Sequence, residues 1–102
     1  MVEDHSLPVV WSKLAQNQLK EAYTRIREAS YQSAEKVKAE ILQKAKELSK
    51  NPERYPLDTY RKNNDGSVRA FEKHHYRVAY QITTKQIRII RMRSTYRLPL
   101  EY

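Results

Sequence analysis

The chain has 102 residues and carries 20 lysines and arginines against 12 acids, a formal net charge of +8. This length suits one domain, predicted to span residues 1–102, whose single two-layer core leaves no room for a second. The lack of cysteine excludes a disulfide framework and a thiolate zinc site. A single glycine, Gly66, excludes a Walker loop or a GxGxxG fingerprint, so we expect no nucleotide cofactor.

The first eleven residues, MVEDHSLPVVW, contain no apolar stretch long enough for a signal peptide or a membrane span. We therefore expect a soluble protein of the reducing cytoplasm that does not act at a membrane. Pro8 to Trp11 form a short apolar run, which predicts a strand with Trp11 as a core anchor. Ser12 follows as the N-cap of a helix.

Two amphipathic helices come next. In the first, apolar residues recur at spacings of four, three, four and three, which places them on one helix face. They are Ala15, Leu19, Ala22, Ile26 and Ala29. The same helical periodicity recurs after an interruption at Ser30 to Ser33, where either serine can cap the second helix. This second stripe consists of Ala34, Val37, Ile41, Ala45 and Leu48, and Asn51-Pro52 ends it. The short joint predicts an antiparallel helical hairpin.

The remainder of the chain is predicted to be a loop followed by strands. Residues 52–67 contain two prolines, two asparagines and Asp65-Gly66, which indicate a loop that ends in a turn. Three segments rich in Val, Ile, Tyr and Phe follow, namely Val68–Phe71, Tyr76–Ile82 and Ile87–Met92. Their short joints favour an antiparallel meander. The predicted fold is therefore α+β, in the order β-α-α-β-β-β, with the helical hairpin packed on one face of the meander.

Alternation along the strands predicts which side chains face the helices. In Tyr76 to Ile82 the larger apolar residues alternate with smaller or polar ones, so Tyr76 and Tyr80 are predicted to belong to the core. In the last strand the alternation does not decide which arginines face outward. His74-His75 is predicted to be a hairpin joint rather than a metal site, because adjacent strand residues point to opposite faces and no third ligand is evident.

The positive charge is concentrated in the predicted strands. Residues 68–102 hold eight lysines and arginines and two acids, or +6 of the +8. Four tyrosines lie among these arginines. Because arginine binds phosphate and tyrosine stacks on bases, this segment is predicted to bind a polyanion or an acidic protein.

The residues also carry a resemblance to a family. The segments Val68–Phe71, Tyr76–Tyr80 and Ile87–Arg91, followed by a basic tail with Arg, Tyr and Pro, resemble the RelE/ParE toxins of bacterial type II toxin–antitoxin systems. The resemblance spans nearly the whole chain. It implies a small toxin neutralised by a cognate acidic antitoxin. RelE-like members cut messenger RNA on the ribosome, whereas ParE-like members inhibit DNA gyrase without cleavage.

The RelE-like interpretation assigns catalytic roles by resemblance. Arg69 matches the phosphate-stabilising arginine, Tyr102 the C-terminal tyrosine proposed as general base, and Arg97 the second arginine. RNA cleavage needs a base, an acid and stabilisation of the phosphate charge. The predicted nucleic-acid-binding residues are Arg61, Lys62, Arg91, Arg93 and Tyr96. No metal is implied.

Three functions remain open from the sequence. The first is a ribosome-dependent endoribonuclease that inhibits translation, with the ribosome and messenger RNA as its partners. The second is a ParE-like inhibitor of DNA gyrase, which the long helical hairpin and Ser94, at a position where many relatives have histidine, both favour. The third is a degenerate toxin whose basic patch only receives the acidic antitoxin.

Overall fold

The computed structural model describes residues 6–102. Strand β1 spans Val9–Trp11, and helices α1 and α2 span Lys13–Ala29 and Tyr31–Glu47. Strands β2, β3 and β4 span Val68–Lys73, Tyr76–Ile82 and Ile87–Ser94. This order confirms the predicted α+β class, with the helical hairpin on one face of the sheet.

Two serines set the geometry of the helical hairpin. The Ser12 hydroxyl accepts a hydrogen bond from the Ala15 amide at 3.1 Å, and this cap begins α1. The Ser30 hydroxyl accepts from the Ser33 amide at 3.1 Å and begins α2, while the Ser30 amide donates to the Ile26 carbonyl at the end of α1. Of the two candidate serines, Ser30 is therefore the cap, and one extended residue joins the helices.

The sheet is mixed and has the strand order β1-β4-β3-β2. Strands β2, β3 and β4 form the predicted antiparallel meander. Strand β1 adds to it in parallel beside β4, with Val9 opposite Ile87 and Trp11 opposite Ile89. Between β2 and β3, His74 and His75 adopt left-handed backbone angles, with φ of 52° and 66°, and form the predicted hairpin joint.

The main core lies between the sheet and the helices. It contains the buried members of both helical stripes and the buried Phe71, Val78 and Tyr80 of the sheet. Trp11 and Tyr76 are partly buried and pack against this core, as predicted. The sheet face that packs on the helices is called the inner face below, and the opposite face is called the outer face.

A bulge in β4 decides which of its side chains face outward. Ala79 pairs with Arg91 but the next residue, Tyr80, pairs with Ile89, so Ile90 is an extra residue in β4. The extra residue shifts the alternation by one position. Ile89 and Met92, three residues apart, are therefore both buried in the inner core, and Arg91 lies on the outer face beside Ala79.

Two features are absent from residues 6–102. None of the helices there is long and apolar enough to cross a membrane. Nor does this part of the chain bring together three His, Cys, Asp or Glu side chains that could hold a metal ion.

Candidate functional site

The outer face of the sheet carries a basic surface. Arg77 pairs with Arg93 across the two strands, and Arg91 pairs with Ala79. A small apolar patch of Val68, Ala70 and Ala79, with Ile90 beside it, lies on the same face. The helices pack on the inner face, so this outer patch must be covered by another segment of the chain.

The C-terminal tail, residues 95–102, covers it. Arg93 donates to the carbonyls of Arg97 at 3.1 Å and Leu98 at 3.3 Å, and Arg91 donates to the Leu100 carbonyl at 3.1 Å. Tyr102 packs on the apolar patch. Two of the predicted phosphate-binding arginines therefore hold the tail against the sheet through its backbone.

The end of the tail is also fastened to the loop before β2. The Tyr102 amide donates to the Tyr60 carbonyl at 3.0 Å, and the Lys62 amide donates to the Tyr102 carbonyl at 2.7 Å. These two bonds form a short ladder between the tail and the loop. Tyr102 is therefore held at both its backbone and its side chain.

Asp58 is the centre of a buried polar network beneath the tail. Asp58 is 2% exposed, and its carboxylate accepts two hydrogen bonds from Arg77, at 2.8 and 3.2 Å, and one from the Tyr102 hydroxyl at 2.7 Å. The Tyr60 amide donates to it at 3.0 Å. Burial alone would raise the pKa of Asp58, but the hydrogen bonds from Tyr102, Arg77 and Tyr60 outweigh it and lower the pKa. The carboxylate therefore stays charged.

Two guanidinium groups lie over the phenol ring of Tyr102. Arg91 lies 4.2 Å from the ring centroid and Arg61 5.0 Å, a cation–π arrangement. Burial and the hydrogen bond to Asp58 raise the pKa of Tyr102 above its usual value. The hydroxyl therefore stays protonated and donates to Asp58.

Arg69 lies on the opposite face of the sheet. It pairs in register with Tyr80, whose side chain is buried in the inner core. Its guanidinium donates to the carbonyls of Tyr55 at 2.7 Å and Glu53 at 3.5 Å, and the Tyr80 hydroxyl donates to the Pro52 carbonyl at 2.7 Å. Arg69 and Tyr80 thus fasten the loop that follows α2.

The middle of the tail projects from the sheet. Tyr96 is 75% exposed and Leu98 is 80% exposed. The Tyr96 ring lies against His75, with centroids 5.0 Å apart, and its hydroxyl hydrogen bonds with His75 Nδ1 at 3.1 Å. The Thr95 amide and hydroxyl both donate to the His75 carbonyl. Residues 95–98 are called the tail tip below.

The predicted site residues do not meet at one place. Arg61, Lys62, Arg91, Arg93 and Tyr102 come together on the outer face, Tyr96 and Arg97 lie on the tail tip, and Arg69 lies on the inner face. Asp58 organises the outer face but was not singled out from the sequence. The excess of arginine in the strands was the available signal, since such a cluster calls for a buried counter-ion.

Comparisons with known proteins agree with the fold. The family described as "ParE toxin of type II toxin-antitoxin system, parDE" matches residues 9–99. A chain from the structure "Chromosomal ParDE TA system from P. aeruginosa" superposes with a TM-score of 0.68 at 19% sequence identity. The match covers 88% of this chain and 97% of that one, and at this identity it supports the fold alone. A comparison with curated proteins finds no match.

Proposed function

Because the chain belongs to the ParE toxin family of type II toxin–antitoxin systems, we propose that it is a cytoplasmic toxin that inhibits DNA gyrase by protein contact. The family implies an antitoxin as its natural partner. The choice of gyrase over messenger RNA rests on one observation, which is the separation of Arg69 from Tyr102.

An endoribonuclease must bring three functions to one phosphate. It needs a base for the 2′-hydroxyl, a proton for the leaving oxygen and a cation on the scissile phosphate. Arg69 lies on the inner face, where the Tyr55 carbonyl accepts its hydrogen bond. Tyr102 lies on the outer face and donates to Asp58. This separation favours a protein that acts by binding.

The tail tip supplies a surface suited to protein contact. Tyr96 and Leu98 are the two most exposed large hydrophobic side chains of residues 6–102. Their backbone is held in place, since Arg93 donates to the Arg97 and Leu98 carbonyls and Thr95 donates to His75. Because this backbone is already ordered, it loses little entropy on binding, and tyrosine is enriched among interface anchors.

A supercoiling assay with purified gyrase tests the proposal. The chain at stoichiometric excess should leave relaxed plasmid unsupercoiled. Leu98→Ser should weaken this inhibition by about tenfold or more, the size expected when an interface anchor is lost. Leu14→Ser is the matched control, because Leu14 is also exposed, at 57%, but lies on α1. Full gyrase activity at excess of the chain would rule the proposal out.

A further inference from the structure

The joint between β2 and β3 has a backbone conformation that its two residues do not favour. His74 and His75 have φ angles of 52° and 66°, and Lys73 pairs with Tyr76 across the joint. Two-residue hairpin turns with positive φ at both positions prefer Asn and Gly, because most other side chains cost free energy in the left-handed region. Backbone held in such a region is typical of functional sites, which directs attention to the two imidazole rings.

Each imidazole contacts a different part of the fold. His74 Nε2 lies 2.8 Å from Glu40 Oε2 on α2. His75 contacts the tail tip instead, since its ring centroid lies 5.0 Å from that of Tyr96 and its Nδ1 lies 3.1 Å from the Tyr96 hydroxyl. The joint therefore connects α2 to the tail tip through its two side chains.

The contact with His75 holds a side chain that the rest of the fold leaves in solvent. Tyr96 is 75% exposed, so packing does little to fix its ring. The backbone beside it is held separately, because the Thr95 amide donates to the His75 carbonyl at 2.8 Å. The imidazole of His75 therefore acts on the orientation of the Tyr96 side chain, whereas the path of the tail depends on backbone bonds.

We propose that His75 is a positioning residue that fixes the Tyr96 side chain for contact with the toxin's protein target, and that the bond between His74 and Glu40 holds the joint in place. An exposed tyrosine samples several rotamers, and restricting it to one of them on binding costs conformational entropy. Because His75 restricts Tyr96 before binding, most of this cost is avoided. The inference rests on the proposed function, in which the tail tip contacts gyrase.

Replacement of both histidines by the preferred turn sequence separates positioning from folding. The double variant His74→Asn, His75→Gly should keep the hairpin, because Asn-Gly suits a turn of this backbone. It removes the imidazole contacts with Glu40 and Tyr96. We expect a urea unfolding midpoint close to that of the wild type, but a half-inhibitory concentration against gyrase about fivefold higher, the factor that one net hydrogen bond contributes.

The rotamer of Tyr96 is a readout that a purely structural role would not change. Three-bond couplings between Hα and Hβ of Tyr96 should indicate one χ1 rotamer in the wild type and averaging in the double variant. His75→Asn alone should keep one rotamer and most of the inhibition. Asn tolerates positive φ, and its amide oxygen can accept a hydrogen bond from the Tyr96 hydroxyl.

Glu40→Ala tests the connection to α2. Loss of this partly exposed partner of His74 should cause partial averaging of the Tyr96 rotamer and about twofold weaker inhibition, the size expected for an exposed pair. Glu47→Ala is the matched control, because Glu47 also lies on α2 but pairs with Arg54. It should leave both readouts unchanged, and equal effects of the two variants would overturn the role of Glu40.

Two results would overturn the positioning role of His75. One is an averaged Tyr96 rotamer in the wild type, and the other is a double variant that inhibits gyrase as well as the wild type does. The coupling measurement contains no gyrase. If the wild type fails to inhibit gyrase, the proposed function fails, and the couplings alone then decide whether His75 positions Tyr96.

Discussion

The two faces of the sheet both use arginine, but for different segments of the chain. On the inner face, Arg69 donates to carbonyls of the loop that follows α2. On the outer face, Arg91 and Arg93 donate to carbonyls of the tail, and Arg77 binds Asp58. Arg69, Arg91 and Arg93 thus hold irregular backbone through its carbonyl groups, whereas Arg77 binds a side-chain carboxylate. The arginine cluster in this sequence therefore indicates segments that are held by hydrogen bonds within the fold, as well as positive charge that is available to ligands.

The inner core should contribute more to stability than the outer patch. Ile89 is fully buried on the inner face, and Ile89→Ala should lower the free energy of unfolding by about 4 kcal/mol, as for large-to-small changes in a packed core. The matched control is Ile90→Ala, at the half-buried neighbouring residue on the outer face. It should lower the free energy of unfolding by about half as much. Urea denaturation measures both. Equal losses would contradict the position of the bulge.

The Asp58 network should be the main support of the outer face. Asp58→Ala removes the partner of Arg77 and of the Tyr102 hydroxyl, and we expect a loss of about 3 kcal/mol in the free energy of unfolding. Glu72→Ala is the control. It removes the second carboxylate of Arg77 at a half-exposed position and should cost less than about 1 kcal/mol. A small loss in Asp58→Ala would mean that the tail is held by its backbone alone.

The hydroxyl of Tyr102 should contribute a single hydrogen bond. Tyr102→Phe keeps the ring beneath Arg61 and Arg91 and removes the bond to Asp58, so it should cost about 1.5 kcal/mol. In the Asp58→Asn background the same change should cost measurably less, because the two residues interact directly. Additive losses in this double-mutant cycle would show that Tyr102 and Asp58 act independently.

Low pH should lower the free energy of unfolding, because it protonates Asp58 beneath the tail. The lowered pKa of the folded state means that the unfolded chain binds protons first as the pH falls. The contribution of Asp58 is therefore complete above the unfolded pKa of about 4 and is lost as the pH falls through the folded value. Between pH 6 and 3, the wild type should lose about 1 kcal/mol more than Asp58→Asn. If the free energy of unfolding depended on pH in the same way in the wild type and in Asp58→Asn, Asp58 would not have this role.

The sequence predicted the parts of the molecule that depend on local periodicity. The stripes of α1 and α2 and the alternation of Tyr76 to Ile82 identified the elements and the inner core, since each pattern repeats within a few residues. The faces of β4 could not be predicted, because the extra residue Ile90 breaks the period of two. The parallel pairing of β1 with β4 depends on contacts between residues far apart in the chain.

The site was less predictable than the fold for the same reason. Arg61, Lys62, Arg91 and Arg93 were predicted as nucleic-acid-binding residues and Tyr102 as a catalytic one, and the structure brings these five together. It separates Tyr102 from Arg69, one of its two predicted catalytic partners. Asp58 joins residues 19 and 44 positions away, Arg77 and Tyr102, and no local pattern reveals such a pair. The position of Arg69 on the inner face follows from its register with Tyr80, which requires the folded sheet.

We propose that this toxin acts by binding, while Arg69, Arg91 and Arg93 fasten its own backbone. Primer extension on messenger RNA, together with plasmid topology from the same arrested cells, tests it most directly. We predict intact messages and relaxed plasmid in cells that express the wild-type chain. Codon-phased cuts in the messages, with normally supercoiled plasmid, would contradict the claim and restore Arg69, Arg97 and Tyr102 as a catalytic set.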